Sequence, residues 1–346
     1  MAKTEILWNI KDLDLNSLDW RSEFYSRELN LTVLPFDPRR DGYAKHEVLI
    51  YVDYGRIDDW INFLHERDNG SVSIFFVGNE YYFRKKFEVL NSFPSIKQGY
   101  IQYLPPITAV PLVQLLRELK QDLGIVFARP FFGTLFRAMI RFKDLKQLEL
   151  NFPHTQLPLG YTNRFFKELS NLGLIKDETN SLYGEDFEKY IYSSIDRHQN
   201  SGISFFGQKG TWLRRRLVQS FSKEKNMSIR TYGSWGGVAE SSRTDYVEEM
   251  LNSRYVLCPP GNVSNESFRY YEAIAVGALP IAGEASIQDW VTFDYWPRHF
   301  GFKHQTAKDL WKKLKLLKYE EFVDLSKEVR RLEKKKLAAI SELLQR

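Results

Sequence analysis

Residues 255–290 read YVLCPPGNVSNESFRYYEAIAVGALPIAGEASIQDW, and four changes of pattern in this stretch predict a strand, a loop, a helix and a second strand. Residues 255–258 are apolar and β-prone, and Pro259-Pro260-Gly261 stops them because proline cannot donate to a sheet ladder. A polar loop follows over 262–266. Ser267 is placed to cap a helix on which Phe268, Tyr271, Ile274 and Ala275 share one apolar face. Gly277 ends that helix, and residues 278–282 read as a short buried strand. Strand, helix and strand in this order form the parallel crossover unit, which points to an α/β fold.

In such a unit the loop after the first strand opens on the ligand crevice, and the start of the helix presents unpaired backbone N–H groups there. Arg269 lies in the first helical turn, with Glu272 three residues on and on the same face. A cation at the helix start suits phosphate oxygens, and a carboxylate one turn deeper suits ribose hydroxyls, so the pair fits a nucleoside diphosphate. The plain alternative is an intrahelical Arg269–Glu272 ion pair on a solvated face, worth roughly 0.2–0.5 kcal/mol. Spacing alone leaves both open.

The order LCP, G, S-x-R-x-x-E-A, G, then a small residue, an apolar residue and Pro resembles the donor-binding motif of exostosin-type glycosyltransferases, in particular the branch that includes ribitol xylosyltransferase. Fucosyltransferases carry looser versions. The resemblance implies a GT-B architecture, two Rossmann-like domains facing across a cleft, with a nucleotide-sugar donor and neither a bound metal nor a cofactor. It implies that Arg269 holds the diphosphate and Glu272 the ribose, with Gly261 and Ser267 shaping the loop. Glu266 inherits no role.

The chain has 346 residues, 43% of them hydrophobic, enough for two cores. We expect an acceptor-side domain over 1–198, a nucleotide-sugar domain over 199–306 and carboxyl-terminal helices over 307–346. The one cysteine, Cys258, falls in a buried strand, so it reads as a small hydrophobe in a reducing compartment. No signal peptide or apolar run long enough to cross a membrane is visible, and a soluble, cytoplasmic protein is expected. A formal charge of +5 is too weak to argue for nucleic acid.

Strand candidates in the amino-terminal half are 6–10, 31–34, 48–52, 72–77, 100–104 and 125–128, alternating with helical spacing over 57–65, 82–90 and 110–123. This alternation predicts a doubly wound sheet. Asp37, Asp53, Glu80, Arg129 and His154 stand just past expected strand ends, where side chains face the crevice, although each also suits a turn or a cap. Residues 148–161 are expected to form a final strand of the first domain followed by a proline- and glycine-rich loop, with residues 158–161 lining the cleft between domains. Asp12-Leu13-Asp14 is a literal Asp-x-Asp, too short to count as a metal site.

The second half opens with a strand at 203–206 feeding Gly207-Gln208-Lys209-Gly210 and a helix over 212–221. Gly207 allows the backbone close to a phosphate, and Lys209 or one of Arg214, Arg215 and Arg216 could pair with it. Read otherwise, the arginine triplet is an exposed helix face. A strand at 228–232, a glycine-rich turn at 233–237 and a helix over 246–252 lead to the opening motif. The last helices, 307–317 and 322–344, carry Lys312, Lys313, Lys315, Lys318, Arg330, Arg331 and residues 334–336 as a basic run, either a solvated face or a peripheral membrane contact.

Together these readings predict transfer of a sugar, taken as UDP-linked, to a glycan or lipid-linked glycan, and the resemblance implies that it proceeds with inversion. An inverting transfer needs a general base on the domain facing the diphosphate, and Asp53, Glu80 and Asp37 are the candidates. The alternatives are a fucosyltransferase-like enzyme with a guanosine donor, or a glycan-binding module of the same fold without turnover.

Overall fold

The computed structural model describes residues 4–9, 24, 27–29, 31–36, 48–53, 72–77, 90–94, 96–101, 150–175, 181–195, 197, 202–207, 218–224, 227–231, 241–259, 267–282 and 307–344. Among the described residues, ten strands, all paired in parallel, form two sheets. The first contains β1 (Thr4–Asn9), β2 (Leu31–Phe36), β3 (Val48–Asp53), β4 (Val72–Val77), β5 (Ile96–Ile101) and β6 (His154–Gln156) in the order β2-β1-β3-β4-β5-β6. The second contains β7 (Ile203–Gly207), β8 (Met227–Thr231), β9 (Tyr255–Cys258) and β10 (Leu279–Ala282) in the order β10-β9-β7-β8. The described helices are α1 (Asn163–Asn171), α2 (Glu185–Ser193), α3 (Ser241–Asn252), α4 (Phe268–Ala275), α5 (Ala307–Leu314) and α6 (Tyr319–Leu344).

Each sheet starts in its interior, adds one strand on one side, then crosses back to add the rest on the other. That reversal makes a topological switch point, where open parallel sheets bind ligands beyond their carboxyl ends. In the first sheet it lies between β1 and β3, which end at Asn9 and Asp53. In the second it lies between β7 and β9, which end at Gly207 and Cys258.

The crossover unit forms as its pattern predicts. Tyr255, Val256, Leu257 and Cys258 are all buried in β9, and β10 runs beside it with Leu279 level with Tyr255. Pro280 is tolerated because β10 is an edge strand. Gly277, at φ 75°, turns the chain after α4. Its N–H donates to Ile274 O at 3.0 Å and that of Ala278 to Ala273 O at 2.9 Å, the paired bonds of a Schellman stop.

Three sequence expectations need correction. The helix α4 is not one-sided: Tyr270, Glu272 and Ala273 are buried along with Tyr271, Ile274 and Ala275, because α6 packs against the helix and Thr162 and Tyr246 close over Glu272. The fifth strand begins at Ile96, not Tyr100. Exposed Lys97 and half-buried Gln98 interrupt the apolar run that marks a covered strand, so its amino end carries no apolar signal.

The third concerns 148–161, where β6 follows Pro153 and the described residues before it, 150–152, form no strand. Gly99 N–H donates to Pro153 O and Leu157 N–H to Ile101 O, both at 2.8 Å. His154 therefore opens a strand and does not stand past the end of one. Residues 157–161 are core: Leu157, Leu159 and Tyr161 are buried, and the Tyr161 ring meets Phe24 edge-on at 4.9 Å. The Tyr161 hydroxyl donates to the Glu28 carboxylate, which also accepts from Ser181 Oγ and, at 3.0 Å, from Leu182 N–H. Burial raises the Glu28 pKa against those three bonds. The expected helices 57–65 and 110–123 and strand 125–128 lie outside the described residues.

One continuous apolar cluster runs from Phe24 and Tyr100 through Phe165, Ile203 and Ile274 to Leu337 and Ile340. Long α6 supplies Phe322, Leu325, Val329, Leu337 and Ile340 at helical spacing. Its far end reaches the first sheet, where Tyr100 OH donates to Leu343 O at 3.0 Å. Arg330 belongs to the same buried stripe, 2% exposed, whereas Arg331 faces water and pairs with Glu328 at 2.6 Å. The carboxyl-terminal basic run is thus not a single solvated face. Among the described residues, no helix is long and apolar enough to cross a membrane.

Candidate active site

The site is built at the switch point of the second sheet. Here α4 starts beyond the end of β9 and directs its first side chains over the end of β7. The guanidinium carbon of Arg269 lies 5.1 Å from the centre of the Phe205 ring, within cation–π range. Gly207, at φ 150°, follows two residues later, and a Cβ there would stand 2.5 Å from Arg269 Nη2. Only glycine lets the guanidinium settle against this backbone.

Two polar atoms at this helix start are buried with no hydrogen-bond partner among the described residues: Arg269 Nε and Ser267 Oγ. Ser267 occupies the N-cap with extended backbone at φ −139° and ψ 145°, yet its hydroxyl caps no N–H. An N-cap serine ordinarily accepts from the second or third helical amide. A buried donor or acceptor left unmet costs about 1–3 kcal/mol.

Glu272 is 4% exposed, so the exposed ion-pair reading does not hold. Its Oε1 accepts from Thr162 Oγ1 at 2.7 Å and Thr162 N–H at 3.3 Å, and its Oε2 accepts from the Tyr246 hydroxyl. Thr162 is the N-cap of α1, its Oγ1 also accepting from Phe165 N–H at 3.1 Å. The Tyr246 ring packs edge-on against Phe206 at 5.6 Å and Phe165 at 6.2 Å. Burial first, and then the Glu272 charge, push the Tyr246 pKa well above its ordinary value, so it stays a donor. Sequence reasoning missed Thr162 and Tyr246. Thr162 lies 110 residues from Glu272 in the chain, and no local pattern could pair the two.

Cys258 ends β9 within the core, with its Sγ 3.4 Å from Val256 O. Burial raises its thiol pKa far above the usual range, although nearby Arg269 opposes the shift. A thiol held neutral is unreactive. Thiol reagents should therefore leave the native protein unlabelled and modify one group after unfolding; rapid native labelling would contradict this burial.

Asp53 is the last residue of β3, at the switch point of the first sheet. Asp37, Glu80, Lys209, Arg215, Gly261, Asp12 and Asp14 lie outside the described residues. So do Arg129, Gly210, Arg214, Arg216, Glu266 and the 233–237 turn.

Residues 209–297, about a quarter of the chain, match the family model described as the RXYLT1 C-terminal domain, and this segment contains Arg269 and Glu272. The fold has a loose likeness to a solved structure titled "Crystal Structure of alpha1,3-Fucosyltransferase", at TM-score 0.46 and 12% identity, covering 99% of this chain and 92% of that one. No curated protein matches the chain.

Proposed function

We propose that the protein is a GT-B glycosyltransferase that takes a sugar from a nucleoside diphosphate donor, with UDP as the leaving group, and passes it to a glycan acceptor with inversion. The observation that carries this reading is the pair of unmet buried groups, Arg269 Nε and Ser267 Oγ, at one helix start on a switch point. The diphosphate lies against that start, where the guanidinium and the first amides of α4 meet its oxygens. As the glycosidic bond breaks, the same groups stabilise the charge that builds on the leaving diphosphate. Glu272 takes the ribose, through the acceptor position that Tyr246 leaves on Oε2.

Inversion places the base on the opposite side of the anomeric carbon, on the unit built around the first sheet. Asp53 has the strongest claim among Asp53, Glu80 and Asp37, because β3 carries it to that sheet's switch point. The acceptor hydroxyl gives its proton to this carboxylate as it attacks.

Titrating the protein with UDP, GDP, ADP and TDP while following thermal unfolding tests the donor class. One nucleotide should raise the melting temperature in proportion to the logarithm of its concentration, and no shift with any of them would overturn the reading. Transfer is also expected to persist in excess chelator, since Arg269, the helix terminus and a basic residue of the 209–216 loop neutralise the diphosphate. Loss of activity in EDTA, restored by Mn²⁺, would instead assign a metal role to Asp12 and Asp14.

A further inference from the structure

We infer that Thr162 and the Tyr246 hydroxyl are positioning residues for the donor, holding the Glu272 carboxylate in one orientation; this rests on Glu272 as the ribose-binding residue. A carboxylate offers about four acceptor positions. Thr162 fills two on Oε1 with its N–H and hydroxyl, and Tyr246 fills one on Oε2. One position on Oε2 remains, so a ribose hydroxyl meets a carboxylate already fixed in rotation and can bond it only once.

The geometry explains why both partners are needed. Thr162 Oγ1 is itself fixed, because its own lone pair is taken by Phe165 N–H at 3.1 Å. Tyr246 cannot turn away, since its ring is seated edge-on against Phe206 and Phe165. Thr162 follows β6 and the buried 157–161 segment, outside the 209–297 family match. The donor site is therefore completed by chain from the first sheet's side, and donor affinity depends on how α1 is seated.

The test compares T162V, T162S, Y246F and E272Q in the full-length chain. The probe is the nucleotide among UDP, GDP, ADP and TDP that binds the wild type, measured by calorimetry beside donor and acceptor KM. T162V and Y246F should each weaken nucleotide binding roughly tenfold to a hundredfold, the scale of one hydrogen bond to a charged group. Donor KM should rise with them and acceptor KM should hold, and T162S should recover most of the affinity lost in T162V. A merely structural role would lower the melting temperature of T162V and Y246F and leave nucleotide affinity and donor KM at wild-type values; that result overturns the proposal. If T162V does not fold because the α1 cap is lost, Y246F decides alone, since Tyr246 caps no helix. Wild-type binding by E272Q would instead overturn the ribose assignment, and this proposal with it, whereas loss in E272Q alone refutes only the positioning role.

Discussion

Replacing Arg330 by methionine should destabilise the protein by about 3 kcal/mol or more, the largest effect expected of any single substitution outside the site. Arg330 is 2% exposed and donates to three carbonyls: Ile274 O at 3.2 Å, Ala275 O, and Leu182 O at 2.8 Å. Both Ile274 O and Ala275 O lie in the last turn of α4, where Ile274 O keeps the Gly277 N–H at 3.0 Å as a second donor and Ala275 O lies beyond the reach of the helix's own amides. Arg197 donates to the next, Val276 O, and Ser326 Oγ to Gly277 O at 2.6 Å. Two buried cations thus sit at the negative end of the α4 dipole, and burial lowers the Arg197 pKa to about 10. Methionine keeps most of the volume and removes every donor, so the cost is that of stranded carbonyls less the relief of burying a charge. Lysine at 330 should recover little, because a point charge cannot span three acceptors as the guanidinium fork does. Urea unfolding measures the difference, and a change under about 1 kcal/mol would mean that water takes over these carbonyls.

Arg269→Ala should weaken nucleoside diphosphate binding by about 1.5–3 kcal/mol, roughly tenfold to a hundredfold, with little change in stability. The asymmetry between affinity and stability follows from the position of the side chain. Arg269 rests on Phe205 and Gly207 with its Nε unmet by protein, so removing it strands no protein partner of that nitrogen. Gly207→Ala should act in the same direction through Arg269, because the new methyl would stand 2.5 Å from Nη2 and displace the guanidinium. Calorimetry on both variants checks the pair. Wild-type affinity in Arg269→Ala would remove the diphosphate from this helix start.

Much of the second sheet can be read residue by residue. The strand at Tyr255–Cys258, the cap position of Ser267, the stop at Gly277 and the return strand with Pro280 all follow from interactions between near neighbours in the chain. Backbone stereochemistry and hydrophobic periodicity act over a few residues, so they leave a signature in the order of residue types. Arg269 at the helix start was legible for the same reason.

The partners of those residues were not. Nothing near Glu272 in the chain indicates that its carboxylate is spoken for by Thr162 and Tyr246, and the exposed ion-pair reading was equally good on spacing. Arg330 and Arg331 are adjacent and chemically identical, yet one is buried at the end of α4 and the other pairs with Glu328 in water. A faint signal existed, since Ser326, Arg330 and Glu333 fall on the same stripe as Phe322, Val329 and Leu337. That stripe says a polar residue is covered but not what covers it. Local order in the chain therefore sets where strands and helices begin and end, while burial and pairing of charge depend on which distant segments meet, and that is decided only when the whole core closes.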